Sequence, residues 1–175
     1  MGRKLVGRTF LVMVLLGWWL LGGTPWLAQA EPVHFKQLMS FLDIKPPAGW
    51  EVAEKPSGLS TKAPVQLSQA QVALRAGEKQ RAEITIMDGL GSALPFMELA
   101  QLVEMESSEE YLRPIQIKGF SGRETYRFKD KEGEIILNVA NRFLVTLKGE
   151  GLENIEPLKS LAQELDLEKL AKLAK

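Results

Sequence analysis

The sequence predicts an α+β domain, an antiparallel β-sheet covered by helices, on three observations. Several runs alternate apolar and polar residues, the period of a strand with one wet face. Short turn-forming stretches join those runs, as in hairpins. Helical spacing occurs at the start, middle and end rather than between every pair of strands, which excludes a doubly wound parallel sheet.

The first helix is predicted from Phe35, Leu38, Met39 and Leu42, spaced as one helical face. Pro46-Pro47-Ala48-Gly49 stops it and turns the chain. Trp50 to Ala53 alternates as a short strand, and the Pro-, Gly-, Ser- and Thr-rich stretch from Lys55 to Pro64 reads as a loop. Ser68, Ala70, Val72 and Leu74 then share one strand face, and after a turn at Ala76 to Lys79 so do Ala82, Ile84 and Ile86. These two runs predict a hairpin.

Asp88-Gly89-Leu90-Gly91-Ser92 breaks the strand, and Pro95 suits the first turn of a helix whose apolar face runs from Leu94 to about Met105. Ser107 stands three residues before Glu110, a capping-box spacing that predicts a short helical turn. Strands are predicted at Ile115 to Ile117 and at Glu124 to Phe128, with Tyr126 and Phe128 on one face. A turn at Asp130 to Gly133 leads to Glu134–Val139, and Ala140-Asn141-Arg142 joins it to Phe143–Leu147. Asn141 tolerates the left-handed backbone of a tight hairpin. These last two runs are the most continuously apolar, which predicts the centre of the sheet. Leu158, Leu161, Ala162 and Leu165 form one helical face, and Leu167, Leu170, Ala171 and Leu173 a second. The second is too short to stand alone, so it must pack or fray.

The first thirty residues read as a secretory signal. Arg3, Lys4 and Arg8 precede an apolar run from Phe10 to Leu21, then Gly22, Gly23 and Pro25, then Ala28-Gln29-Ala30. That order predicts cleavage after Ala30. The apolar core is about a dozen residues, against about 20 for a spanning helix. The chain is therefore expected to divide into a signal peptide, 1–30, and one domain, 31–175. The reading places the mature protein in a periplasm or outside the cell, meeting a membrane only through the transient signal.

Composition narrows the function. The 22 basic and 22 acidic side chains balance. Losing Arg3, Lys4 and Arg8 leaves a mildly acidic mature domain, which argues against nucleic acid. The chain has no cysteine, so it forms no disulfide and carries no lipobox. With one histidine, His34, a zinc centre and a Ser-His-Asp triad both lack their usual parts. No metal and no cofactor are expected.

Pro46-Pro47-Ala48-Gly49-Trp50-Glu51-Val52, followed by a hairpin, a helix, a second hairpin and a terminal helix, resembles the PsbP-like α/β/α sandwich. The chain also looks like a family of small exported bacterial proteins with no assigned function. Ser68-x-Ala70, Ile84-Thr85-Ile86-x-Asp88 and Gly119-Phe120-x-Gly122 through Tyr126 carry that likeness. These are packing and turn residues, so the resemblance implies a fold and no chemistry.

No residue set forms a catalytic constellation, and two residues are candidates for a cleft or ligand site. Asp88 is in phase with Ala82, Ile84 and Ile86, so it points to the core side at a strand end. The ordinary reading is a carboxylate satisfying backbone N–H groups; the sharper one is a polar group at a cleft rim. Trp50 reads as a core anchor, with ligand stacking as the alternative. Glu104, Glu106, Glu109 and Glu110 form an acidic cluster without the spacing of a calcium loop. Gly89 and Gly91 lack the third glycine of a nucleotide fingerprint. Lys159, Lys169, Lys172 and Lys175 dress the Leu-rich tail, but intervening acids make an ordinary amphipathic helix the default. The expected function is a non-catalytic, exported envelope protein with a protein partner. A carboxylate-dependent hydrolase and a small-ligand carrier are the alternatives.

Overall fold

The computed structural model describes residues 31–89 and 103–174, all within the unit Glu31–Lys175. Residues 1–30, expected as a signal peptide, Lys175, and the helix expected from Leu94, up to residue 102, lie outside the described residues. Among the described residues no helix is long and apolar enough to cross a membrane.

Among the described residues the fold is dominated by one eight-stranded antiparallel sheet with three short helices. Strands β1 (Glu51–Thr61), β2 (Leu67–Ala76), β3 (Gln80–Asp88), β4 (Met105–Glu106), β5 (Glu110–Ile117), β6 (Phe120–Arg127), β7 (Glu132–Val139) and β8 (Phe143–Glu150) lie in the order β1-β2-β3-β8-β7-β6-β5-β4. Strands β7 and β8 are central, as their apolar runs predict. Helix α1 is Phe35–Met39, α2 is Glu156–Glu164 and α3 is Leu167–Lys172.

Strand alternation gives the sheet an inner and an outer face. Across the inner face run rows of cross-strand neighbours. One is Val72, Ile84, Leu147 and Ile135; the next is Ala70, Ile86, Val145 and Leu137, and all are buried. All three helices seat their apolar residues here. Leu38, Phe41 and Leu42 come from α1 and the turn after it, Leu158, Leu161 and Ala162 from α2, and Leu167 and Leu170 from α3. The terminal helix therefore packs. Beneath α2, Gly133 and Gly149 face each other across β7 and β8. A Cβ on Gly133 would stand 2.6 Å from Ile155 Cδ1, and one on Gly149 would stand 2.9 Å from Leu158 Cδ2. The two glycines form a notch that lets α2 approach the sheet.

Four expectations are corrected. The stretch expected as a loop from Lys55 continues as strand β1 to Thr61. An edge strand needs only its backbone to pair, and nearly every β1 side chain is exposed, so no hydrophobic alternation marks it. Register shifts between Val52 and Glu54 and between Glu54 and Ser57 let the ladder pass Pro56, which has no N–H. Second, Met105 is not helical but begins β4. Third, Ser107 caps no helix. Its Oγ accepts N–H bonds from Glu109 and Glu110 at 3.2 and 3.1 Å, and its own N–H donates to the Glu110 carbonyl at 2.9 Å. The same spacing builds a serine turn in the β4–β5 hairpin. Phe128 also falls past the end of β6, although its ring still meets Tyr126 at 5.7 Å. The β4–β5 ladder stops as β5 reaches Pro114, which has no N–H to donate.

The β7–β8 turn holds both Ala140 (φ 55°) and Asn141 (φ 52°) in the left-handed region. Asparagine suits that conformation; alanine does not. Ala140→Gly is expected to raise stability by a few tenths to about 1 kcal/mol. The urea midpoint checks this, and a lower midpoint would count against it.

Candidate functional site

Asp88 ends β3 on the inner face and is 2 % exposed. The carboxylate is fully engaged. Val33 N–H donates to Oδ2 at 2.7 Å, and Arg142 donates from Nε to both oxygens and from Nη2 to Oδ2 at 2.9 Å. Arg142 follows the β7–β8 turn and also donates to two backbone carbonyls, Leu173 at 3.2 Å and Glu31 at 2.9 Å. One guanidinium thus joins β3, the central turn, the segment at Glu31 and the residue that follows α3. This arrangement is a clasp: its polar atoms face one another, leaving Asp88 no free oxygen to offer a substrate.

Trp50 is half-buried and packs against the main core, behind a turn closed by its own N–H on the Pro47 carbonyl at 3.0 Å. Gly49, at φ +89°, makes that turn. His34 is exposed at the start of α1, where Nδ1 accepts from Lys36 N–H at 3.3 Å. Among the described residues no hydrogen bond, ion pair or ring contact joins Trp50, His34 and Asp88 to one another. Of the basic residues in the tail, Lys159 is paired with acids, and Lys169 lies 5.7 Å over the Phe41 ring.

The outer face carries a small buried apolar cluster, Ile136 and Leu144 with Met87 against them, and is polar around Lys148. Two hollows, of about 510 and 330 Å³, share Lys148, Gly149 and Glu150 and so form one shallow trough. Its charges alternate across the strands. Lys148 stands between Glu83 and Glu134, with 3.5 Å to Glu134, and Arg81 stands opposite Glu150. Arg75 bonds Glu51 at 2.6 Å, and Arg127 bonds Glu132. Each cation has a carboxylate neighbour, so the trough presents no strong field of one sign.

The inner face changes character at its β5–β6 corner. Glu124 lies on it between Arg113 and Ile135, buried, with Lys159 Nζ of α2 at 3.0 Å from Oε2. Sequence reading did not single out this pair, although Glu124 is in phase with Gly122 and Tyr126. Next to it, Tyr111, Tyr126 and Phe128 form a ring cluster with centroids 5.7 to 6.0 Å apart. Tyr126 is buried and donates its hydroxyl to the Leu152 carbonyl at 2.6 Å. Arg113 lies 4.4 Å over the Tyr111 ring and bonds Glu106 at 2.7 Å. Phe128 is 43 % exposed; on the adjoining hairpin Met105 is 42 % and Val103 53 % exposed. The acidic cluster sits on this hairpin. Among the described residues Glu104, Glu109 and Glu110 have no basic side chain at ion-pair distance, and no group of three or more His, Asp or Glu is placed to hold a metal ion.

Burial raises the Tyr126 phenol above its usual 10.0, and Glu153 adds to the shift. Burial raises Tyr111 in the same way, with Glu124 adding. For Lys159 burial pulls down, but hydrogen bonds to Glu156 and Glu124 outweigh it and leave the ammonium raised. All three groups hold their protons more tightly folded than unfolded. Their stabilisation is complete below the unfolded values, near pH 10, and is lost as pH rises through the raised ones. The urea midpoint should therefore fall above about pH 10, and less so in Tyr126→Phe. A midpoint that climbs there would contradict the assignment.

Comparison of the chain with protein-family models, curated proteins and solved structures returned no match.

Proposed function

We propose that the processed chain is an exported, non-catalytic protein of the cell envelope that binds a protein partner through the β5–β6 corner of its sheet. The supporting observation is the exposed Phe128, seated on the Tyr111–Tyr126 pair at one end of the sheet. Elsewhere the inner face is filled by its own helices. Aromatic residues, methionine and arginine are the side chains enriched at protein interfaces, and clustered apolar exposure marks such surfaces. The PsbP-like sandwich belongs to the same proposal, supported by the Pro-Pro turn into β1 and by α2 and α3 on the inner face.

A photo-crosslinking residue in place of Phe128, in the native cell envelope, tests the reading. A discrete adduct is expected there and not from Ser121, exposed on the outer face. If Phe128 and Ser121 behave alike, the corner is not the binding surface. Sequencing the mature N-terminus tests export separately, with Glu31 expected first.

A further inference from the structure

On the reading that the chain is exported and cut after Ala30, on which this inference rests, the Asp88–Arg142 clasp stands beside the cut. The strap that leads into α1 is tied at every second residue. The Glu31 carbonyl accepts from Arg142 Nη2 at 2.9 Å, Val33 N–H donates to Asp88 Oδ2 at 2.7 Å, and Phe35 N–H donates to Ser60 Oγ of β1 at 3.2 Å. Val33 also packs against the main core. The groups that hold the strap are remote in sequence: Arg142 lies 111 residues from Glu31, 54 from Asp88 and 31 from Leu173. The clasp therefore exists only once β3, the β7–β8 turn and the end of α3 have come together. It then grips the first carbonyl beyond the bond to be cut. Glu31 is exposed, but solvent access is not enough for cleavage. A peptidase takes the chain on both sides of the bond as a segment lifted clear of the fold, so it acts on the locally open form. We infer that the closed clasp and removal of the signal exclude each other: the clasp is a latch that the domain closes on its own new N-terminus after processing.

The test is a time course of the purified full-length precursor, folded in detergent, with a purified signal peptidase, followed by mass spectrometry. A synthetic peptide of residues 20–36, too short to fold, sets the reference rate. The folded precursor is expected to be cut at least about tenfold more slowly than the peptide, since cleavage tracks the open fraction. A spacer of about six Gly and Ser residues between Ala30 and Glu31 moves the bond away and leaves the clasp intact, and should bring the rate to within about twofold of the peptide. Arg142→Lys keeps a charge for Asp88 but loses the fork that reaches both carbonyls, and should speed cleavage of the unspaced precursor at least about threefold. If that variant fails to fold, the spacer precursor decides the matter. A folded precursor cut as fast as the peptide overturns the inference. So does a spacer that leaves cleavage slow, or a folded Arg142→Lys precursor cut at the wild-type rate. A peptide left uncut after Ala30 refutes instead the export reading itself.

Discussion

Replacing Arg142 with alanine should remove about 3–5 kcal/mol of stability, the usual result of stripping one partner from a buried ion pair. Arg142 is the more exposed member, its side chain 18 % accessible against 3 % for Asp88. Without it the Asp88 carboxylate stays in the core with the Val33 N–H as its remaining donor, and the Glu31 and Leu173 carbonyls lose their partner. Asp88→Ala leaves the guanidinium beside those carbonyls and near solvent, so it should cost less. The double variant should cost less than the two singles summed, because neither charge is then stranded. Urea unfolding of the four proteins measures the cycle. An Arg142→Ala loss below about 1 kcal/mol would mean that water replaces the clasp, and the account would fail.

Leu158→Ala should cost about 2–5 kcal/mol through the cavity it leaves above the glycine notch. Leu158 is fully buried, and its methyl carbons lie over both Gly133 and Gly149. The notch makes the prediction sharper than a generic core truncation. Gly149→Ala in the native protein forces a new Cβ to 2.6 Å from Leu152 Cδ1 and 2.9 Å from Leu158 Cδ2, and overpacking of that kind costs about 1–3 kcal/mol. In the Leu158→Ala background one of those contacts is gone, so the same glycine change should cost less. Equal costs in both backgrounds would show that α2 simply shifts away from the sheet.

The parts legible in the sequence are those where a side chain reports its own surroundings. Ala82, Ile84, Ile86 and Asp88 all point inward, as their phase predicts, and the two leucine faces of the tail become α2 and α3. Strand β1 was illegible because an exposed, bulged edge pairs through backbone alone and needs no apolar pattern. Ser107 misled because an N-cap and a serine turn satisfy the same two amides. The clasp was half legible: Asp88 showed its direction, but its partner lies 54 residues away and nothing local to Arg142 points back to it. Glu124 could have been read from its phase between Gly122 and Tyr126, which already places it on the buried side of its strand.

The irregular borders of the sheet bear on how the protein survives in a crowded compartment. A long flat strand with unmet amides at either border would recruit identical copies and seed fibrils. Here one border is crimped around Pro56, and the other gives out at Pro114 with a two-residue companion, Met105–Glu106. Neither border is uninterrupted along its whole length, which limits the stretch that a neighbouring molecule could extend.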